Sequence, residues 1–232
     1  MEGSKKFFAV TTDLKTPTYG EVEGRDLAEN EVLIKVEAAP INPSDQYMSV
    51  GRYGVKKLFP PNPVGVGFEG SGIVVEVHES VSSDLVGQKV VFVQDPHSAS
   101  YQGTWRQYLI LKKSEVTVLP EDVDLDVVCG YFGNPVTVCG FIDIYQKGGH
   151  KAMIHDAACS ALGKMLVKFT KTLSIPLINI VRRDEQAKIL EELGAEYILN
   201  SSSETFTADL TELAKKLEAT VFFDAIAGDI TG

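Results

Sequence analysis

Arg182 and Arg183 close a short apolar run, Pro176-Leu-Ile-Asn-Ile-Val181, and stand 19 and 20 residues after Gly163. Upstream lies Asp156-Ala-Ala-Cys-Ser-Ala-Leu-Gly163, made almost entirely of small residues. Small residues let a backbone approach a pyrophosphate, and guanidinium groups suit a ribose 2′-phosphate through bidentate hydrogen bonds. The usual dinucleotide fingerprint is G-x-G-x-x-G. Here Ala158, Ser160 and Gly163 take the three glycine places, with Ala161 and Leu162 opening the following helix. One glycine of three makes the motif equally readable as an ordinary βα turn. The arginines favour a nucleotide, because NAD-binding units usually place Asp or Glu at this point to hold the 2′-hydroxyl. The expected cofactor is therefore NADPH. The alternative is a solvated pair at the start of the next helix, partnered by Asp184 and Glu185.

These residues need a scaffold that brings the turn beside the end of the next strand. Ala152-Met-Ile-His155 reads as a strand, and Met165, Leu166 and Phe169 have helical spacing. With the Pro176–Val181 strand they form a βαβ unit. Further on come a helix over 184–193 stopped by Gly194, a strand at Tyr197-Ile-Leu, a helix over 209–217 and a strand at Thr220-Val-Phe-Phe. Before the unit, a helix ends near Lys147-Gly148-Gly149.

Residues 1–122 read differently. Phe7–Val10, Val32–Ala38, Gly70–Val77, Lys89–Val93, Trp105–Ile110 and Val116–Leu119 have strand character, and Pro and Gly punctuate them. That pattern predicts a small β-barrel over 1–122, followed by an α/β half over 123–232.

Composition narrows the classes of function. The 232 residues are 44% hydrophobic and 23% charged, with a net charge of −10. That argues against nucleic acid or an anionic membrane as partner and for a small-molecule substrate. No apolar run reaches membrane-spanning length. The start leads straight into strand-like residues, with no secretory or transit signal, so the expected location is the cytoplasm. Cys129, Cys139 and Cys159 are odd in number and widely spaced, which fits free thiols of a reducing compartment.

Several stretches together resemble the medium-chain dehydrogenase/reductases, in their zinc-free branch of quinone oxidoreductases and enoyl thioester reductases. They are Val36-Glu-Ala-Ala-Pro-Ile-Asn-Pro-Ser-Asp45, Pro63-Val-Gly-Val-Gly-Phe-Glu-Gly-Ser-Gly72, Gly103-Thr-Trp-Arg-Gln-Tyr108, Asn134-Pro-Val-Thr137 and Leu193-Gly-Ala-Glu196. The resemblance implies an N-terminal GroES-like β-barrel followed by a Rossmann domain. It implies an NADPH-dependent oxidoreductase that delivers hydride to a quinone or to an alkene conjugated with a carbonyl. It places Asn42 and Thr137 near the nicotinamide and Tyr53 where enoyl thioester reductases carry a catalytic tyrosine. Tyr53 reads otherwise as an aromatic packing residue on a loop.

The zinc relatives carry Cys and His-Glu where this chain has Asn42 and Phe68-Glu69, and Gly133 falls at the third ligand position. Catalytic zinc needs three ligands from Cys, His and carboxylate, so no metal is expected and Glu69 reads as structural. His78, His97, His150 and His155 are scattered and read as surface or packing residues.

The sequence ends at Gly232, just after the fourth strand of a fold that usually has six. The expectation is a truncated Rossmann domain, weakly active, that self-associates through an open strand edge or belongs to a longer protein. The competing expectations are a catalytically silent reductase-like subunit and a module that only holds NADPH.

Overall fold

In the computed structural model, residues 5–52, 64–98 and 100–228 are described. The chain forms two compact units, Met1–Gly133 and Asn134–Gly232.

The first unit is mostly β. Its elements are β1 Lys6–Thr12, β2 Pro17–Glu23, β3 Glu31–Ala38, helix α1 Pro43–Ser49, β4 Val64–Gly65, β5 Glu69–Val77, β6 Lys89–Val93, β7 Tyr108–Lys112, β8 Val116–Val118 and the short helix α2 Leu125–Val128. A five-stranded antiparallel sheet runs β7-β3-β5-β6-β8, and a three-stranded one runs β2-β1-β4. Alternation in Val32, Ile34, Val74, Val90, Phe92, Leu109 and Leu111 puts one face of the larger sheet into a dry core. Gly103 has φ +76°, and a Cβ there would run into the backbone of Gly65 and Val66. Only glycine fits such an approach.

The strand expected at Trp105–Ile110 begins only at Tyr108. Trp105 and Arg106 instead make irregular contacts. The Trp105 carbonyl accepts from the Val10 amide at 2.8 Å, and its indole Nε1 donates to the Pro40 carbonyl at 3.1 Å. Residues 123–133 lie in the first unit, where the Leu125 carbonyl accepts from Ser71 Oγ at 2.7 Å.

The second unit carries the parallel sheet. After α3 Gly133–Gly148 come β9 Ala152–His155, α4 Ala161–Thr172, β10 Leu177–Val181, α5 Asp184–Glu192, β11 Tyr197–Asn200, α6 Phe206–Lys216 and β12 Ala219–Phe223. The strand order is β11-β10-β9-β12, all parallel. This is the 3-2-1-4 arrangement of a dinucleotide fold. All five residues of β10 are buried, as a strand covered on both faces must be. Met153, Leu166, Val167, Leu177, Leu190 and Phe223 share its core. Gly149 and Gly194, at φ +65° and +86°, stop α3 and α5. Among the described residues no helix is long and apolar enough to cross a membrane.

Candidate nucleotide cleft and carboxylate anchor

The residues after β9 form a tight turn that the chain's small side chains make feasible. Ala157 takes φ +45°, and the Ala158 amide donates to the Ile180 carbonyl at 3.2 Å, tying the turn to β10. Ser160 caps α4, its Oγ accepting from the Gly163 amide at 3.1 Å. A Cβ at Gly163 would collide with the Ala158 carbonyl, so the helix sits this close only with glycine there. Ala161 and Leu162 form the first helical turn, where backbone N–H groups and the helix dipole favour an anion. Leu162 also packs against the core.

At the end of β10, Arg182 and Arg183 are both exposed. Among the described residues neither guanidinium lies within ion-pair distance of a carboxylate. Asp184, the partner one alternative assigned them, instead accepts from Asn200 Nδ2 at 2.7 Å. Backbone bonds fix the arginines: the Arg182 amide donates to Gln186 Oε1 at 3.1 Å, and its carbonyl accepts from Ser202 Oγ at 2.9 Å. Ala158, Ser160, Arg182, Arg183, Gln186 and Ser202 line one cleft of about 860 Å³. The turn and the arginines, 20 residues apart in sequence, thus face a common space. Small residues at its base and two cations at its rim suit a phosphorylated dinucleotide.

In the first unit Glu69 is buried at 3% exposure and gathers three donors from two segments. Its Oε1 accepts from Asn42 Nδ2 at 3.0 Å. Its Oε2 accepts from the Gly133 amide at 2.7 Å and the Phe132 amide at 3.1 Å. Asn42 precedes α1, where Asp45 Oδ2 accepts from the Asn42 amide at 2.7 Å and Oδ1 from the Phe68 amide at 3.1 Å. Burial pushes the Asp45 carboxyl up to about 6. The two backbone N–H bonds oppose that rise and the nearby Glu69 charge adds to it.

These contacts do not suit zinc. Asn42 Nδ2 and the Gly133 amide donate to Glu69, and the Phe68 side chain offers no ligand atom. Among the described residues no three His, Cys, Asp or Glu side chains gather as a metal would require.

Thr137 is exposed in the second turn of α3. Tyr53 lies outside the described residues. His155 is fully buried, packs beside Phe141 and is pushed down to about 4 by burial, so it is a neutral packing residue. The burial of two carboxyls, Asp45 in the first turn of α1 and Asp156 just after β9, leaves no periodic trace in the sequence.

Residues 28–121 match the alcohol dehydrogenase GroES-like domain. The chain is 33% identical over 196 residues to the mitochondrial enoyl-[acyl-carrier-protein] reductase of Mus musculus, covering 82% of this chain and 49% of that protein. It thus spans about half the length of the curated relatives it matches. Its fold follows that of Escherichia coli quinone oxidoreductase, solved with NADPH, at a TM-score of 0.79, 23% identity, and coverage of 99% and 68%. The Etr1p/NADP/crotonyl-CoA complex gives 0.74 at 24% identity, with coverage of 97% and 70%.

Proposed function

We propose that this chain belongs to the zinc-free quinone oxidoreductase and enoyl thioester reductase branch of the medium-chain dehydrogenase/reductases, binds NADPH and reduces a quinone or an alkene conjugated with a carbonyl. The observation that carries the reading is the pairing of Arg182 and Arg183 with the Ala158–Gly163 turn around one cleft, with no carboxylate taking up the guanidinium groups among the described residues. An acidic side chain at that place would repel a 2′-phosphate. Two arginines attract one, and their bidentate geometry adds preference beyond charge. The related solved proteins carry NADPH in one case and NADP in the other, which supports the same assignment.

When bound, the nicotinamide supplies a hydride, and a proton donor must balance the negative charge that the acceptor gains. Tyr53 is the candidate donor, resting on its place in the sequence. Asn42 and Thr137 are the candidates beside the nicotinamide. Glu69 keeps Asn42 in one orientation, because an amide that donates to a carboxylate must turn its oxygen away from it.

Reduction of crotonyl-CoA and of a simple benzoquinone, each followed by loss of NADPH absorbance, tests the reading. Turnover of either supports it. Tight NADPH binding with neither substrate reduced favours a module that only holds the cofactor.

A further inference from the structure

Neighbouring parallel strands β9 and β12 pair His155 with Phe223, and the next residue on each is an aspartate, Asp156 and Asp224. Asp156 is fully buried. Its Oδ1 accepts from the Ala225 amide at 2.7 Å, while Oδ2 is enclosed with no conventional donor. Asp224 Oδ1 accepts from the Ile226 and Ala227 amides at 3.0 and 2.7 Å. Asp224 also acts on Asp156 as a hydrogen-bonding, like-charged neighbour that favours its protonated form. Two carboxylates cannot hydrogen-bond unless a proton lies between them, and that proton would satisfy the enclosed Oδ2. Asp224 holds the turn over 225–228, from which Ile226 and Ala227 line the same cleft as Arg182 and Arg183.

We propose that Asp156 and Asp224 share one proton and act as positioning residues that set the Ile226–Ala227 wall of the nucleotide cleft, so that the cleft holds nucleotide best while the proton is in place. The nucleotide half rests on the function proposed above. When the proton leaves, two like charges face each other in a water-poor site, and Asp224 must move. Its movement carries Ile226 and Ala227, whose amides it holds.

Burial, then Asp224, pushes Asp156 up to about 6. His155 on β9 is buried and neutral. Arg182 and Arg183 at the end of β10 and Lys164 in α4 are the cations on the neighbouring elements. The interacting carboxyls therefore titrate in two separated steps, the upper one above the ordinary aspartate range.

The test is an NADPH titration of the 232-residue chain, read by nicotinamide fluorescence, at about pH 5.5 and about pH 8, with Asp224→Asn alongside. The wild-type Kd is expected to rise roughly three- to ten-fold with pH beyond any rise in the variant, which shares the 2′-phosphate's own titration. A carboxyl NMR titration accompanies it, with amide exchange at Ala225. Asp156 is expected to titrate near 6 in the wild type, and Ala225 to exchange faster above that pH. Equal pH dependence of binding in the two proteins overturns the proposal. So does an Asp156 carboxyl that titrates in the ordinary range. If neither protein binds NADPH at either pH, the cofactor assignment fails, and the carboxyl titration with Ala225 exchange decides the pair.

Discussion

The side-chain amide of Asn42 donates to the buried carboxylate of Glu69 at 3.0 Å. The other oxygen of that carboxylate receives the Gly133 and Phe132 amides. One side chain therefore ties the N-terminus of α1, the start of β5 and the residues after α2. A charged acceptor serving three donors in a buried setting holds its place only while the set is complete.

Glu69→Ala is expected to destabilise the first unit by about 3 kcal/mol or more, since it strands several enclosed donors. Glu69→Gln keeps one carbonyl acceptor and loses less. Urea denaturation followed by fluorescence of Trp105, the only tryptophan, reports on this unit. A Glu69→Ala midpoint equal to wild type would show that the carboxylate ties nothing.

Asp45 predicts a pH dependence for the same unit. Its folded-state pKa, about 6, lies above its ordinary 3.8. The folded state therefore holds the proton more tightly than the unfolded state, and stability falls as pH rises from about 4 to about 6. The contribution is complete below that window and gone above it. Trp105-monitored unfolding across the range measures the slope, and Asp45→Asn is expected to flatten it. A rise in stability across the window in wild type, unaltered by the variant, would contradict the burial argument.

Gly163→Ala is expected to weaken the second unit by about 1–3 kcal/mol, because the added methyl meets the Ala158 carbonyl and not a yielding side chain. Nucleotide binding should fall with it, since α4 can no longer present its first turn at the same place. Ser160→Ala removes only the cap and is expected to cost about 1 kcal/mol. Circular dichroism melts of the two variants separate these effects. An order reversed from this one would mean that the cap, not the close approach, holds the helix.

The elements that sequence described best are those whose pattern reports burial directly. The apolar run at Leu177–Val181 is a fully buried central strand. Gly194 is where α5 stops because its positive φ could be anticipated from residue type. The βα turn and the arginines were readable because spacing alone brings them together in a βαβ unit. Less was visible where side chains decide. β2, at Pro17–Glu23, has five exposed residues and no buried ones. Its alternation is therefore too weak to mark it. Trp105–Gln107 looked like strand because aromatic and long polar residues suit one, yet the indole bond to Pro40 and the Val10 pairing hold it out of the ladder. The Asp156–Asp224 pair joins residues 68 apart in sequence, and only the parallel pairing of β9 with β12 places them side by side.

The cation pair at the end of β10 decides the cofactor assignment. Kd values for NADPH and NADH, measured on the wild type and on the Arg182→Ala, Arg183→Ala double variant, test it. The wild type is expected to bind NADPH roughly ten-fold or more tightly than NADH, from charge-assisted bonds to the 2′-phosphate. The double variant is expected to lose most of that preference while its NADH affinity stays close to wild type. A preference for NADPH that survives both substitutions, or a wild type that prefers NADH, would contradict the assignment.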